Sequence, residues 1–578
     1  MIDPTPLHAA SRDKAWTTAL FIGAALVLLA GIGLRAPWPA DEPRFAQIAR
    51  EMVESGQWLF PLRGGEPYPD KPPVFMWLVA LSYSLTGQLK IAFLLPSALA
   101  AAGTLWLVHD LGRRLWGSEV ARWAVLVLLF TPQFLLQAKT AQIDALVCFW
   151  ITLGCYGLLR HFLLGPAWRW YALAWVAMAL GIMTKGVGFL PMLLLIPLAL
   201  WARSERAASA SPVWTRRAWI GPMLLLLTLA AWLGPMLWQV QASGDAELAA
   251  YRDNILLRQT AGRYANPWGH FKPWHYFLTS AIPLVWFPLA VLLVAQWRRL
   301  VALLREDVRA RSLFAWVVLV LVFFSLSKGK RDVYILPALP MLSLVGAALW
   351  ARVQEAGAGR KTAGVLRGVL LVLGILVLVL GLIALQRPEA LGEKASDYAE
   401  AIADLAWPLV VLGSLVLAAT LLSWRRPLFQ QLALVSLMCW VFVAFWVWPV
   451  MDPHRTPRQL MADLETRVPG ETEVGLIEFK EQFLLFSHRP LTHFSYLATA
   501  SEQERRAWLW LQEDRTRVLL VPDGLELACF DTGRQQRLGT AHRRDWVLLD
   551  ATAARAACVP PDNRQTYTWQ PRRMDILQ

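Results

Sequence analysis

The sequence predicts a polytopic α-helical membrane protein of about thirteen transmembrane helices, with amphipathic juxtamembrane helices and a soluble α/β domain at its C-terminal end. Three observations predict it: an apolar composition, apolar windows that recur from Trp16 to Val450, and their loss from about Met451 onward. Of 578 residues, 56% are apolar and 17% charged, with a mean hydropathy of +0.41. That is too oily for an ordinary soluble enzyme. A hydrocarbon core about 30 Å thick takes about 20 apolar residues per helix, and the windows supply them repeatedly.

The first window, 16–34, lacks a small-residue cleavage site and is followed by more spans, so it is expected to remain as a helix. Basic clusters then punctuate the windows: Arg113 and Arg114, Arg160 and Arg169, Arg203 to Arg217, Arg298 to Arg311, Arg352 to Arg367, and Arg425 with Arg426. The positive-inside rule makes these loops cytoplasmic. The formal charge of +14 therefore serves topology, and no nucleic acid is expected. Spans that satisfy every cluster run approximately 16–34, 91–112, 118–134, 145–161, 168–184, 186–202, 217–238, 276–298, 312–326, 334–352, 366–386, 407–423 and 428–448. An odd number puts the N-terminus inside and the C-terminal domain outside. The stretch from Val74 to Leu85 reaches only about 18 Å as a helix, so it is a re-entrant or interfacial segment. Arg203 to Pro212 is the nearest approach to a low-complexity linker, and it falls in a cytoplasmic loop.

Two units follow: residues 1–450 in the membrane, with main outer loops 35–90 and 239–275, and a soluble 451–578. In the second, short apolar runs at 474–479, 518–521 and 546–549 alternate with charged stretches including Ser501 to Leu511, the pattern of a small α/β domain. It has no nucleotide-binding glycine loop. Of five cysteines, Cys148, Cys155 and Cys439 lie in apolar windows; Cys529 and Cys558 could pair if that domain is outside.

The topology gathers five polar segments on the outer face: Arg35 to Lys90, Gln137 to Asp144, Lys185, Gln239 to His275, and Ser327 to Tyr334. Asp41-Glu42-Pro43-Arg44 opens an amphipathic helix with its apolar stripe at Phe45, Ile48, Ala49 and Met52. Asp41 is either its cap or a functional carboxylate at the membrane boundary. Tyr68-Pro69-Asp70-Lys71-Pro72-Pro73 is a rigid turn whose lysine is either a headgroup anchor or a counter-ion for a phosphate. Asp144 begins a span, where an ionised group needs a cap role or a water-filled cavity; Lys185 sits in a tight break and either snorkels or meets a ligand. The fourth segment carries Arg258, Arg263 and His270, and the fifth Lys328-Gly329-Lys330-Arg331 and Tyr334. Guanidinium forks suit phosphate. Together these describe an outer-face cavity lined by carboxylates and cations beside lipid, suited to an anionic lipid substrate.

The Asp-Glu pair after the first span, Asp70-Lys71-Pro72-Pro73, Asp144, Thr184-Lys185-Gly186 and Ser325-Leu326-Ser327-Lys328 with Tyr334-Ile335-Leu336-Pro337 resemble the GT-C superfamily of polyprenyl-phosphate-dependent glycosyltransferases. The likeness is to the bacterial lipid A aminoarabinose transferases, relatives of protein O-mannosyltransferases, and covers residues of about 16 to 450. It implies inverting transfer of 4-amino-4-deoxy-L-arabinose from undecaprenyl phosphate to a lipid A phosphate on the periplasmic face of the inner membrane, giving polymyxin resistance. It implies catalytic carboxylates at Asp41, with Glu42 beside it, and Asp144. Donor-phosphate contacts would fall among Lys71, Arg44, Arg258, Arg263, Lys330, Arg331 and Tyr334, and substrate contacts at Tyr68 and Lys185. Relatives often carry Lys-Ser-Lys-Leu where this chain has Lys328-Gly329-Lys330-Arg331. No cofactor is required by these residues, although Asp70 and His270 leave room for a divalent metal, and no obligate protein partner is expected. The alternatives are a GT-C transferase of another sugar or onto a protein hydroxyl, and a polyprenyl-lipid flippase.

Overall fold

The computed structural model describes residues 5–202, 215–262, 270–391 and 399–571; the Arg203 to Pro212 loop and Arg263 lie outside them. Helix stands at each of the expected span positions. Among the described residues, eight helices are long and apolar enough to cross a bilayer alone, against an expectation of about thirteen spans. The number is ten if two bent pairs, Ser118–Leu129 with Pro132–Ala138 and Phe277–Val285 with Leu289–Ala295, are one crossing each. Both bends fall at a proline, Pro132 and Pro288, where the missing N–H interrupts the helical ladder. The other expected positions hold Thr5–Leu29, Trp168–Lys185 and the short Leu190–Leu200. Val74–Thr86 is a 13-residue helix, too short to span, and stops at Gly87 in the left-handed region.

Charge sorts the two ends of the bundle. At one end Asp110 gathers Arg113, Arg114 and Arg160, while Glu306 meets Arg352. At the other, all five predicted outer segments touch. Arg35 reaches the Lys139 carbonyl, Lys185 meets Asp144 and Tyr334, Phe60 stacks edge-on against Tyr251, and Lys330 bonds the Lys272 carbonyl.

The helix Glu42–Ser55 buries Phe45, Ile48, Ala49 and Met52, as the stripe requires. Its other face is not open to solvent as an amphipathic surface helix would be: Gln47, Arg50 and Glu51 are buried too. The cover is the C-terminal sheet, whose Trp569 ring lies 4.3 Å from the Arg50 guanidinium. A two-stranded hairpin, β1 (Leu62–Arg63) and β2 (Glu66–Pro67), follows. Its two-residue turn needs positive φ at both positions, which Gly64 (69°) and Gly65 (87°) provide. Glu51 accepts hydrogen bonds from both of their amides, at 2.7 and 2.9 Å. A side chain at Gly64 would also strike His493, which donates to the Gly64 carbonyl.

The last membrane helix runs unbroken from Leu428 to Arg455, so the expected division at 450/451 falls within its final turns. Beyond it a six-stranded sheet is ordered β6–β7–β5–β3–β4–β8, from β3 (Val474–Leu476), β4 (Leu491–His493), β5 (Val518–Pro522), β6 (Gln536–Ala541), β7 (Arg544–Asp550) and β8 (Tyr567–Trp569). β3 is parallel to β4 and β5; the other pairs are antiparallel. The Ser501 to Leu511 stretch lies in the helix Ala500–Glu513. Cys529 and Cys558 form a disulfide, with Cα atoms 5.1 Å apart.

Burial of Glu51 raises its carboxyl to about 7, against hydrogen bonds from Gly65, Gln47 and Gly64 that pull it down. The folded chain then holds a proton that the unfolded chain releases, so the folded state loses stability as pH rises from 4.5 through about 7, as the buried carboxyl is forced to ionise. Glu51→Gln, which cannot titrate, flattens that slope in thermal unfolding followed across the same range; parallel slopes for the two proteins contradict the assignment.

Candidate active site

The outer face is built around a buried ion pair. Arg35, six residues past the end of the first helix at Leu29, grips both oxygens of Glu42, with Nη1 to Oε2 at 2.5 Å and Nη2 to Oε1 at 2.7 Å. Glu42 also accepts from the amides of Trp38 (2.8 Å) and Ala141 (3.0 Å), and Arg35 donates to the Lys139 carbonyl. The guanidinium lies 4.6 Å from the Trp38 ring centre and 5.2 Å from that of Trp448. Every lone pair of Glu42 facing the site is committed. Four donors thus close on Glu42, which was expected to share catalysis with Asp41.

Asp41 is held differently. It occupies the cap position of Glu42–Ser55 but makes no capping hydrogen bond, which removes the reading of Asp41 as a simple helix cap. Its contacts are loose: Gln142 Nε2 at 3.4 Å and Arg44 Nη1 at 3.5 Å, with the side chain 30% exposed. A carboxylate so held keeps lone pairs available for a substrate. Arg44 is fixed in turn by Glu481 at 3.3 Å and by the Tyr68 hydroxyl. Burial works against the Arg44 charge, but Glu481 and Tyr68 outweigh it and raise its pKa. Glu481 also binds Arg63. Burial would raise the Glu481 carboxyl; Arg63 and Arg44 bring it below the ordinary range instead. Tyr68, expected as a substrate contact, is 1% exposed and its hydroxyl meets Arg44.

Asp144 belongs to Ile143–Phe162, whose cap is Gln142, so it too is no cap. It pairs with Lys185, whose ammonium lies 4.8 Å from the Tyr334 ring centre. Lys185 is thus neither snorkelling nor free. Gln142, two residues before Asp144 in the chain, donates to Asp41 at 3.4 Å.

The remaining candidates separate. Lys71 and Asp70 are partly buried in the proline-rich turn, Lys71 Nζ donating to the Asp70 carbonyl at 3.1 Å. Arg258 is exposed on the helical stretch Asn254–Gly262. Lys330, expected at the donor phosphate, is 3% exposed and donates to the carbonyls of Lys272 and Ser327, tying two loops together. Arg331 and Tyr334 stay partly open beside it. A cleft of about 470 Å³ runs between these loops, past Lys272, Trp274, Ser327 and Lys328. His270 is exposed at φ 61°, bonded through its carbonyl to the Lys330 amide. Among the described residues no three His, Cys, Asp or Glu side chains converge as a metal-binding group. Sequence reasoning gave no role to Arg35, Gln142, Arg63 or Glu481. An arginine ending a span on the outer face, against the positive-inside bias, was the one signal for Arg35.

A polytopic bundle with a loosely held carboxylate after its first helix and a sheet domain over it agrees with the GT-C resemblance, and the comparisons place the chain among membrane glycosyltransferases of that class. The chain matches the Dolichyl-phosphate-mannose-protein mannosyltransferase family over residues 70–234 and the Alg9-like mannosyltransferase family over 265–406. It is 30% identical over 470 residues to the undecaprenyl phosphate-alpha-4-amino-4-deoxy-L-arabinose arabinosyl transferase of Pseudomonas aeruginosa, covering 78% of this chain and 79% of that one. To a Pseudomonas fluorescens transferase of the same name it is 32% identical over 430 residues, 72% and 74% of the two chains. The crystal structure of ArnT from Cupriavidus metallidurans bound to undecaprenyl phosphate superposes with a TM-score of 0.73 at 20% identity, over 94% of this chain and 99% of that one, and so shares the fold. The chain belongs to the undecaprenyl phosphate-4-amino-4-deoxy-L-arabinose arabinosyl transferase family.

The two neighbouring carboxylates should separate on substitution. Asp41→Asn lowers transfer by about a hundredfold or more with the melting temperature unchanged. Glu42→Gln leaves a buried guanidinium half-paired and destabilises the protein by about 3 kcal/mol. Thermal unfolding and transfer rates of both variants read this out; a stable Glu42→Gln or an active Asp41→Asn contradicts the division of roles.

Proposed function

We propose that the chain moves 4-amino-4-deoxy-L-arabinose from undecaprenyl phosphate to a phosphate of lipid A, on the periplasmic face of the bacterial inner membrane, and so confers resistance to polymyxin. The observation that carries this reading is the Asp41 carboxylate, free of a capping bond and framed by Arg44 and Gln142, in a chain of this family. The disulfide supports an oxidising compartment for the C-terminal sheet.

A lipid A phosphate is already anionic near neutral pH, so no general base is needed to make it a nucleophile. One of its oxygens forms a bond to the anomeric carbon of the sugar as the bond from that carbon to the undecaprenyl phosphate oxygen breaks. Direct displacement inverts the centre. The bonding electrons leave with the undecaprenyl phosphate, and Lys71, Arg258 and Arg331 are the cations assigned to balance that charge. Asp41 attracts the cationic amino group of the sugar or offsets positive charge at the anomeric carbon as the bond stretches. Gln142 and Arg44 keep Asp41 oriented. A protein hydroxyl acceptor would instead require a base poised to take its proton.

Mass spectrometry of lipid A from cells with and without the gene tests the proposal. The expected result is a phosphate-linked aminoarabinose present only with the gene and absent with Asp41→Asn. Identical unmodified lipid A in both strains, with donor lipid present, would sink it.

A further inference from the structure

Strand β8 closes one edge of the sheet; it is three residues long and pairs with β4 alone. Short as it is, it reaches outer segments of the membrane unit on three sides. Trp569 lies over Arg50 of the helix Glu42–Ser55. Tyr567 stacks on His493, which bonds the Gly64 carbonyl of the hairpin. The Tyr567 hydroxyl leaves the sheet and donates to Glu247 Oε1 at 2.6 Å. Gln565, two residues before the strand, donates to the same oxygen, and its own carbonyl is held by Arg506 at 3.2 Å. Two side chains at this edge, 318 and 320 positions along the chain from Glu247, thus converge on a single atom of it.

Glu247 stands in the first turn of the helix Ala246–Asp253, whose cap is Asp245, bonded to the Glu247 amide. The cap is made without the Glu247 side chain, which turns to the sheet instead. Upstream, Gly244 at φ 63° ends the helix Ile220–Ser243, so the segment sets off in a new direction from a glycine. One face of it packs on apolar partners: Tyr251 lies edge-on to Phe60, and Ile255 is buried. Apolar contact is non-directional and lets a helix roll or slide, whereas hydrogen bonds to one carboxylate oxygen fix its angle. Burial, with Glu247 and Glu66 beside it, pushes the Tyr567 hydroxyl well above its ordinary range, so it remains a donor. The helical stretch then runs on without a gap through Asn254–Gly262 and carries Arg258, one of the cations assigned to the leaving phosphate.

We propose that Tyr567 and Gln565, acting through Glu247, are positioning residues for the donor: they set the angle at which the fourth outer segment presents Arg258 to the donor phosphate. The inference rests on the transfer reading above and gives the C-terminal sheet a part in donor binding. Asp41 is held by other residues, Gln142 and Arg44. Loss of the tie to Glu247 therefore falls on the donor and spares both the carboxylate and the acceptor.

Tyr567→Phe separates this role from a structural one, because it removes the hydroxyl while keeping the ring on His493 and the Gln565 bond to Glu247. With purified protein, undecaprenyl-linked aminoarabinose and lipid A, the expected result is a donor KM raised about fivefold. The kcat at saturating donor, the lipid A KM and the melting temperature stay nearly as in the unaltered protein. Glu247→Ala gives the same donor defect, and Glu247→Gln, whose amide oxygen still accepts both bonds, keeps most of the donor affinity. In an Arg258→Ala background Tyr567→Phe raises the donor KM no further, since the guanidinium it positions is gone. An unchanged donor KM in Tyr567→Phe, a lipid A KM that rises equally, or an undiminished effect in the Arg258→Ala background overturns the positioning role and leaves the transferase reading standing. Absence of any transfer to lipid A by the unaltered protein overturns both.

Discussion

The Arg35–Glu42 pair is the constraint on which the outer face depends. Moving two charges from water into a protein interior is costly, and the cost is offset only when each partner is fully saturated with hydrogen bonds. Here saturation recruits separate parts of the chain. Glu42 accepts from Trp38 and Ala141, Arg35 donates to Lys139, and three aromatic rings lie within 5.3 Å of the guanidinium. The end of the first helix, the start of the amphipathic helix and the loop before Asp144 are thereby fixed to one another. Asp41, next to Glu42, is placed by that arrangement while taking little part in it. One carboxylate holds the structure, which leaves its neighbour unencumbered for chemistry.

A second charged knot joins membrane loop to sheet. Glu481 binds Arg44 and Arg63, while Glu66 accepts from the Ser495 hydroxyl and the Tyr496 amide. His493, neutral because burial pushes it down to about 3, lies between the rings of Phe479 and Tyr567 and bonds Gly64. The sheet is therefore the roof of the site, and the hairpin Leu62–Pro67 is its point of attachment.

Much of this was legible in the sequence because lipid imposes strong rules. Apolar windows found the helices, basic loops oriented them, and the segments so assigned to one face do meet there. The stripe of Phe45, Ile48, Ala49 and Met52 located the amphipathic helix, and 474–479, 518–521 and 546–549 marked strands β3, β5 and β7. Strands β4, β6 and β8 escaped notice: β4 and β8 have three residues each, and β6 carries two glutamine or arginine side chains at its exposed start. The roles of individual charges were less legible. Whether Glu42, Lys330 or Tyr68 faces a substrate or a neighbouring segment depends on contacts with distant residues, and no local pattern encodes them. Arg63 and Glu481 are 418 positions apart.

That separation has a consequence for how the protein comes into being. Arg44, which flanks Asp41, takes its bearing from Glu481, a residue synthesised after every membrane helix. Contacts so remote in sequence are among the last to form, because the loop they close costs entropy until the rest of the chain is in place. A nascent chain already threaded into the bilayer, with Asp41 exposed beside lipid, still lacks its roof. The surroundings of Asp41 are therefore complete only once the final domain has folded against the membrane loops.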